Sequence, residues 1–157
     1  MKTNIGITDK NTQAVANALA KILADEAVLV TKTKNAHWNV EGPDFHSMHL
    51  FFESQYKALD ETVDSVAERI RSLGHYAPAT LKEFLELTSL TEKRGSKNNS
   101  ESFLKDLVGD HEAIIIELRE NIDAFTSKYK DAGTADFITG LLEDHEKMAW
   151  MLRAHLK

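Results

Sequence analysis

Residues 44–73 read DFHSMHLFFESQYKALDETVDSVAERIRSL, and this stretch decides the fold. Phe45, Met48, Phe52, Tyr56, Leu59, Val63, Val66, Ile70 and Leu73 follow one another in steps of three and four. That spacing lines one face of an α-helix. Neither glycine nor proline interrupts it, whereas Gly42-Pro43 precedes it and Gly74 to Pro78 follows. The same rhythm recurs on either side. Val15, Leu19, Ile22 and Leu29 carry it in an earlier segment, and Phe103, Leu107, Ile114, Leu118, Ile122 and Phe125 carry it in a later one. Phe137, Leu141, Met148 and Leu152 carry it in the last.

Polar breaks at Lys93-Arg94-Gly95-Ser96-Lys97-Asn98-Asn99 and at Lys130-Asp131-Ala132-Gly133 divide the chain into long segments at about 8–39, 44–73, 100–130 and 134–156. Thr8 or Asp9, Asp44, Ser100 and Thr134 are the expected N-caps. The expected fold is all-α, a four-helix bundle of one domain spanning residues 1–157. A long crossover from Gly74 to Asn99 holds a short helix at Thr80–Leu87.

Composition narrows the function classes. The chain has 157 residues, 42% of them hydrophobic and 28% charged, a balance that argues against disorder. No run approaches ~20 apolar residues, so no membrane span is expected. The opening MKTNIGITDKNTQ has neither an apolar core nor a cleavage-like site. Cysteine is absent, which excludes disulfides, thiolate metal sites and a cysteine nucleophile, and a cytoplasmic setting is expected. The formal charge of -6 confines any nucleic-acid contact to a local basic patch.

Beside the apolar seam of the second segment runs a polar stripe of His49, Glu53, Asp60, Asp64 and Glu68. His49 and Glu53 are four apart, as are Asp64 and Glu68, so each pair shares a helical face. His37 ends the first segment just before the turn. Imidazoles with carboxylates form a ligand set for iron, manganese or zinc. A helix carrying such carboxylates is ordinarily a solvated face, but here only Lys57 and Arg69 offer compensating charge, and the stripe borders the seam.

Geometry then makes a demand. Glu53 and Asp64 lie about 16 Å apart along a straight helix at 1.5 Å per residue. Paired metal ions sit only about 3.5–4 Å apart. One helix cannot bring both pairs to one site. A two-fold axis near Ala58–Leu59 can, because an antiparallel copy sets its Asp64 and Glu68 beside the first chain's His49 and Glu53. The alternative in-bundle site needs Glu-x-x-His. None of the seven histidines has glutamate three residues before it.

The run His37-Trp38-Asn39-Val40-Glu41-Gly42-Pro43-Asp44-Phe45-His46-Ser47-Met48-His49, with Glu53 and Asp64-Ser65-Val66-Ala67-Glu68-Arg69, resembles the signature of the Dps mini-ferritins. The likeness extends through Ala135-Asp136 and His145-Glu146-Lys147-Met148-Ala149-Trp150-Met151-Leu152. The resemblance implies a ferritin-like bundle assembled into a hollow dodecamer. It implies ferroxidase activity: iron oxidised between two-fold-related subunits, commonly by hydrogen peroxide, and stored as ferric mineral. His37, His49 and Glu53 would come from one subunit and Asp64 and Glu68 from its partner, with zinc as a substitute metal. Glu53 departs from the aspartate often found at its position, a difference of one methylene.

Other residues keep two readings. Trp38 either takes oxidising equivalents or packs at the dimer seam. Asp60 either supports a ligand histidine or pairs with a lysine or arginine. Asp131 and Asp136 either favour a helix N-terminus or, by resemblance, line an acidic pore for ferrous ions. His46 reads as surface, and His111 and His145 as hydrogen-bonded core. DNA binding and protection is the alternative function that the resemblance carries. The short N-terminal segment offers it only Lys2 and Lys10.

Overall fold

The computed structural model describes residues 3–92 and 97–157. Lys2, and Lys93 to Ser96 of the polar break, lie outside the described residues. The elements are helices α1 (Asp9–Asn39), α2 (Phe45–Ser72), α3 (Leu81–Leu87), α4 (Ser100–Asp123) and α5 (Ala132–Ala154). A π-helical turn, Ala124–Lys128, extends α4. The four long helices form the expected bundle. α1 pairs chiefly with α2, and α4 with α5, while α3 in the crossover lies on α1. Among the described residues no helix is long and apolar enough to cross a membrane.

The seam read from the sequence is the core, with Tyr56 and Val63 half-buried and one position corrected. Met48, Phe52, Leu59, Val66, Ile70 and Leu73 are buried, but Phe45 is 45% exposed. Phe45 opens α2 and lies beyond the packed part of the bundle. Complete burial of a side chain such as Leu59 stabilises by about 1.5–3 kcal/mol, and Phe52 adds an edge-on contact to Phe103 at 6.3 Å.

Two N-caps also shift. Asn99, not Ser100, caps α4 by accepting from the Ser102 N–H, and Asp131, not Thr134, caps α5 by accepting from the Thr134 N–H. Thr8 caps α1 as expected, whereas Asp44 precedes α2 without a side-chain capping bond. The π-helical turn ends α4 short of the expected boundary, and Lys130 then turns the chain at φ 59° into α5.

The crossover is tied down at several points. Thr80 and Glu83 form a reciprocal cap on α3, which satisfies both its first amide and its N3 amide. Beyond α3, the buried Asp25 of α1 accepts from the Thr88 hydroxyl and from both the amide and the hydroxyl of Ser89. Nearer the site, the Glu41 N–H donates to the Asn98 carbonyl and joins the α1–α2 turn to the end of the crossover.

A charged network runs through the middle of the bundle. His145 of α5 donates from Nε2 to Glu26 of α1 at 2.7 Å, and its Nδ1 meets Nδ1 of His111 of α4 at 2.9 Å. All three residues are at most 1% exposed. Burial resists charge on His145, but the charge and hydrogen bond of Glu26 outweigh it and raise the pKa. Burial, and then the neighbouring His145, push His111 well below the ordinary imidazole range. His145 thus donates to Glu26 from Nε2 and shares one proton with His111 between their Nδ1 atoms. His111 and His145 are core histidines satisfied by hydrogen bonds, as the sequence leads one to expect.

Candidate metal centre

The turn at 40–44 folds the end of α1 against the start of α2, so His37 and His49 meet. Their rings stack with centroids 3.8 Å apart and planes inclined at 22°. His37 Nδ1 donates to the His49 carbonyl at 2.7 Å, and His49 Nδ1 donates to the His37 carbonyl at 2.8 Å. The His37 carbonyl belongs to the last turn of α1, where backbone acceptors lack helical partners. The arrangement thus closes the helix end and orients the two candidate ligands together.

The hydrogen bonds also decide the tautomer. A carbonyl only accepts, so Nδ1 carries the proton in each ring. Each neutral imidazole then keeps its lone pair on Nε2, the atom left free for a metal ion. Two aromatic rings frame the pair: Phe45 lies 5.3 Å from His49, and Tyr56 meets His37 edge-on at 5.3 Å.

Glu53 stands one turn beyond His49. Its Oε1 accepts from Lys57 Nζ at 2.7 Å, and this hydrogen bond, reinforced by the lysine charge, lowers the carboxyl pKa. Asp64 and Glu68 are exposed on the same unbroken α2, eleven and fifteen residues past Glu53. The structure therefore brings His37 and His49 together with Glu53 nearby, and leaves Asp64 and Glu68 far along the helix. Among the described residues, no three histidine, aspartate or glutamate side chains of one chain converge as a ligand cluster.

Lys57 occupies the carboxylate of the candidate ligand Glu53. Lys57→Met should accordingly tighten ferrous binding a few-fold, measured by anaerobic titration. Unchanged affinity would show that the lysine does not compete.

The remaining candidates separate clearly. Asp60 pairs with Lys34 at 2.9 Å, the charge-pair alternative. Trp38 is 69% exposed and borders a groove lined by Asn35, Asn98 and Phe103. Asp131 is 2% exposed and engaged by Arg69 and by the amide and hydroxyl of Thr134. Asp136 is exposed. His46 is on the surface. Sequence reasoning missed Glu26, although a charge within the stripe of Leu19, Ile22 and Leu29 was the available signal. It also read Tyr56 only as seam.

The ferritin-like domain family model matches residues 16–157. A DNA protection during starvation protein 2 from Bacillus anthracis is 37% identical, covering 90% of this chain and 96% of its own length. The chain belongs to the Dps family of ferritin-like proteins. An uncharacterized low temperature-induced protein from Nostoc is 44% identical over 99% of this chain and 87% of that relative. The Dps crystal structure from Vibrio cholerae, described as a ferritin-like diiron-carboxylate protein, superposes with a TM-score of 0.93 at 30% identity. It covers 100% of this chain and 98% of that one. The arrangement of stacked histidines, glutamate and distant acidic pair is thus carried by a Dps fold.

Proposed function

We propose that this Dps chain is an iron-storage mini-ferritin that oxidises ferrous ions at sites shared between two subunits. The observation that carries the reading is the reciprocal Nδ1–carbonyl pairing of His37 and His49, which leaves the Nε2 atoms of two stacked rings available. Glu53 completes one chain's half of each site. Asp64 and Glu68 of a two-fold-related copy complete the other half, because one continuous 28-residue helix does not fold them back.

Two ferrous ions held by these imidazoles and carboxylates are the substrate, with hydrogen peroxide as oxidant. Each ion gives up one electron, the O–O bond breaks, and two protons from solvent complete two molecules of water. Delivery of both electrons at one site avoids release of hydroxyl radical. The ferric product passes into the cavity of a dodecamer as mineral, protecting against oxidative damage in the cytoplasm. Asp136 is the exposed carboxylate available to a pore, and Asp131 would support it through the helix start. Zinc fits the same nitrogen and oxygen ligands.

DNA protection by direct binding is the other activity that relatives' names offer. The formal charge of -6 opposes it, and salt weakens any phosphate contact further.

Anaerobic ferrous loading followed by peroxide, with assembly mass from light scattering, tests the reading. The expected result is rapid growth of ferric absorbance in a particle of about twelve subunits, a closed symmetric assembly. A monomer without ferric product would contradict it.

A further inference from the structure

A carboxylate that already accepts three hydrogen bonds has room for about one more donor. Asp25 of α1 is 1% exposed and takes its three from one short stretch of the crossover. Its Oδ1 accepts from the Thr88 hydroxyl at 2.5 Å and from the Ser89 amide at 2.7 Å, and its Oδ2 from the Ser89 hydroxyl at 2.8 Å. Thr88 in turn accepts from the Leu90 amide. The remaining partner is the half-buried Glu117 of α4, whose carboxyl hydrogen-bonds to Asp25. Two carboxylates have no proton to share, and Asp25 only accepts from its other partners, so Glu117 carries the proton.

We propose that residues 88–90 form a proton-operated cover over the Asp25–Glu117 pair, closed while Glu117 donates to Asp25 and lifting when Glu117 loses that proton.

An ionised Glu117 would face an ionised Asp25 away from water, and like charges so placed repel. Lys21 of α1 opposes the repulsion, and Glu120 of α4 adds to it. Two turns earlier on α4, Asp110 also feels the charge of Asp25 and is paired with Lys32 of α1. Burial, and then the hydrogen bond and charge of Asp25, push the Glu117 carboxyl up to about 7. Relief comes from hydration, and the crossover is the part that can yield to admit water. Buried side chains such as Leu19, Ile22, Ile114 and Leu118 lock α1 and α4 in the core, whereas residues 88–92 lie outside any helix. Thr88 and Ser89 sit directly on the Asp25 carboxylate. Lys32 separately holds the Thr91 carbonyl at 2.9 Å, which confines the movement to the residues before it.

The direction follows from proton linkage. The covered state keeps a proton that the open state, with Glu117 hydrated and back near its ordinary value of 4.5, has released. Closure is therefore favoured fully at low pH. Its advantage shrinks about tenfold per pH unit as pH rises toward about 7, and levels beyond it.

The test is hydrogen exchange of the full chain, followed by mass spectrometry from about pH 5.5 to about pH 8.5, with each rate divided by the intrinsic exchange rate at that pH. In wild type, protection of the Ser89 and Leu90 amides should fall about tenfold per pH unit up to about pH 7 and then level. The amides around the buried Leu59 of α2 should hold their protection throughout. Glu117→Gln still donates to Asp25 but does not ionise, so protection of residues 89 and 90 should stay flat at the low-pH level. Glu117→Ala, which also lacks the ionisable group, should be flat too and serves if the glutamine variant does not fold. Wild-type protection that stays level through pH 7 would overturn the proposal, because Glu117 then loses its proton or turns outward without moving the crossover. A fall in either variant equal to that of wild type would overturn it as well.

Discussion

Asp64→Ala should abolish nearly all peroxide-driven ferrous oxidation, and Glu68→Ala should do the same, while helical content stays unchanged. Both side chains are exposed on α2 and contribute nothing to the buried seam. Loss of a partner that merely orients a metal ligand already costs about 10–100-fold in affinity or activity, and removal of a ligand should cost at least as much. Stopped-flow ferric absorbance with circular dichroism on the same samples checks this. Wild-type rates in both variants would refute the assignment.

Glu26→Ala should cause the largest loss of stability. It removes the carboxylate paired with His145 in a core where both residues are at most 1% exposed. Breaking a buried pair from one side costs about 3–5 kcal/mol. For a chain of this size that is on the order of a 10 °C fall in thermal midpoint. Glu26→Gln keeps an acceptor for the Nε2 proton and should lose less. A midpoint within a degree or two of wild type for Glu26→Ala would show the network to be dispensable.

The two histidines of that network make opposite contributions to pH dependence. His145 has its folded pKa raised above the reference value of 6.5. Its stabilisation is complete below the unfolded pKa and is lost as pH rises through the folded value. His111 has its folded pKa depressed. Below about pH 6.5 the unfolded chain binds a proton that folded His111 does not, so stability falls, by up to ~1.4 kcal/mol per pH unit. His111→Asn, which keeps a hydrogen-bonding side chain beside His145 but does not titrate, should flatten this acid limb in denaturant midpoints measured against pH.

The bundle was legible because burial acts on side-chain period. Met48 to Leu73 need no partner information to declare a buried helical face, and the histidines and carboxylates flanking that seam are equally plain. Phe45 misleads because the periodicity runs to the first residue of α2, whose side chain is 45% exposed. The caps at Asn99 and Asp131 shift for a related reason. Several capping residues stand in a row, and tertiary contacts choose among them: Arg69 reaches Asp131 and Thr134 together and so places the start of α5. The π-helical turn leaves no periodic signature over so few residues. The stacking of His37 on His49 was not legible at all. It depends on the path of a five-residue turn and on an unpaired carbonyl at the end of α1.

Mixed reassembly tests the shared site most directly. His49→Ala and Asp64→Ala chains, each inactive alone, are unfolded together and refolded as a mixture. A mixed dimer has two sites, one inheriting both defects and the other neither. Random pairing makes half of the dimers mixed, so about a quarter of wild-type sites should return if the sites act independently. A site built within one chain would return no activity, since every chain carries a defect. Ferrous oxidation near a quarter of the wild-type level is the predicted result, and its absence in assemblies verified as mixed would contradict the inter-subunit centre.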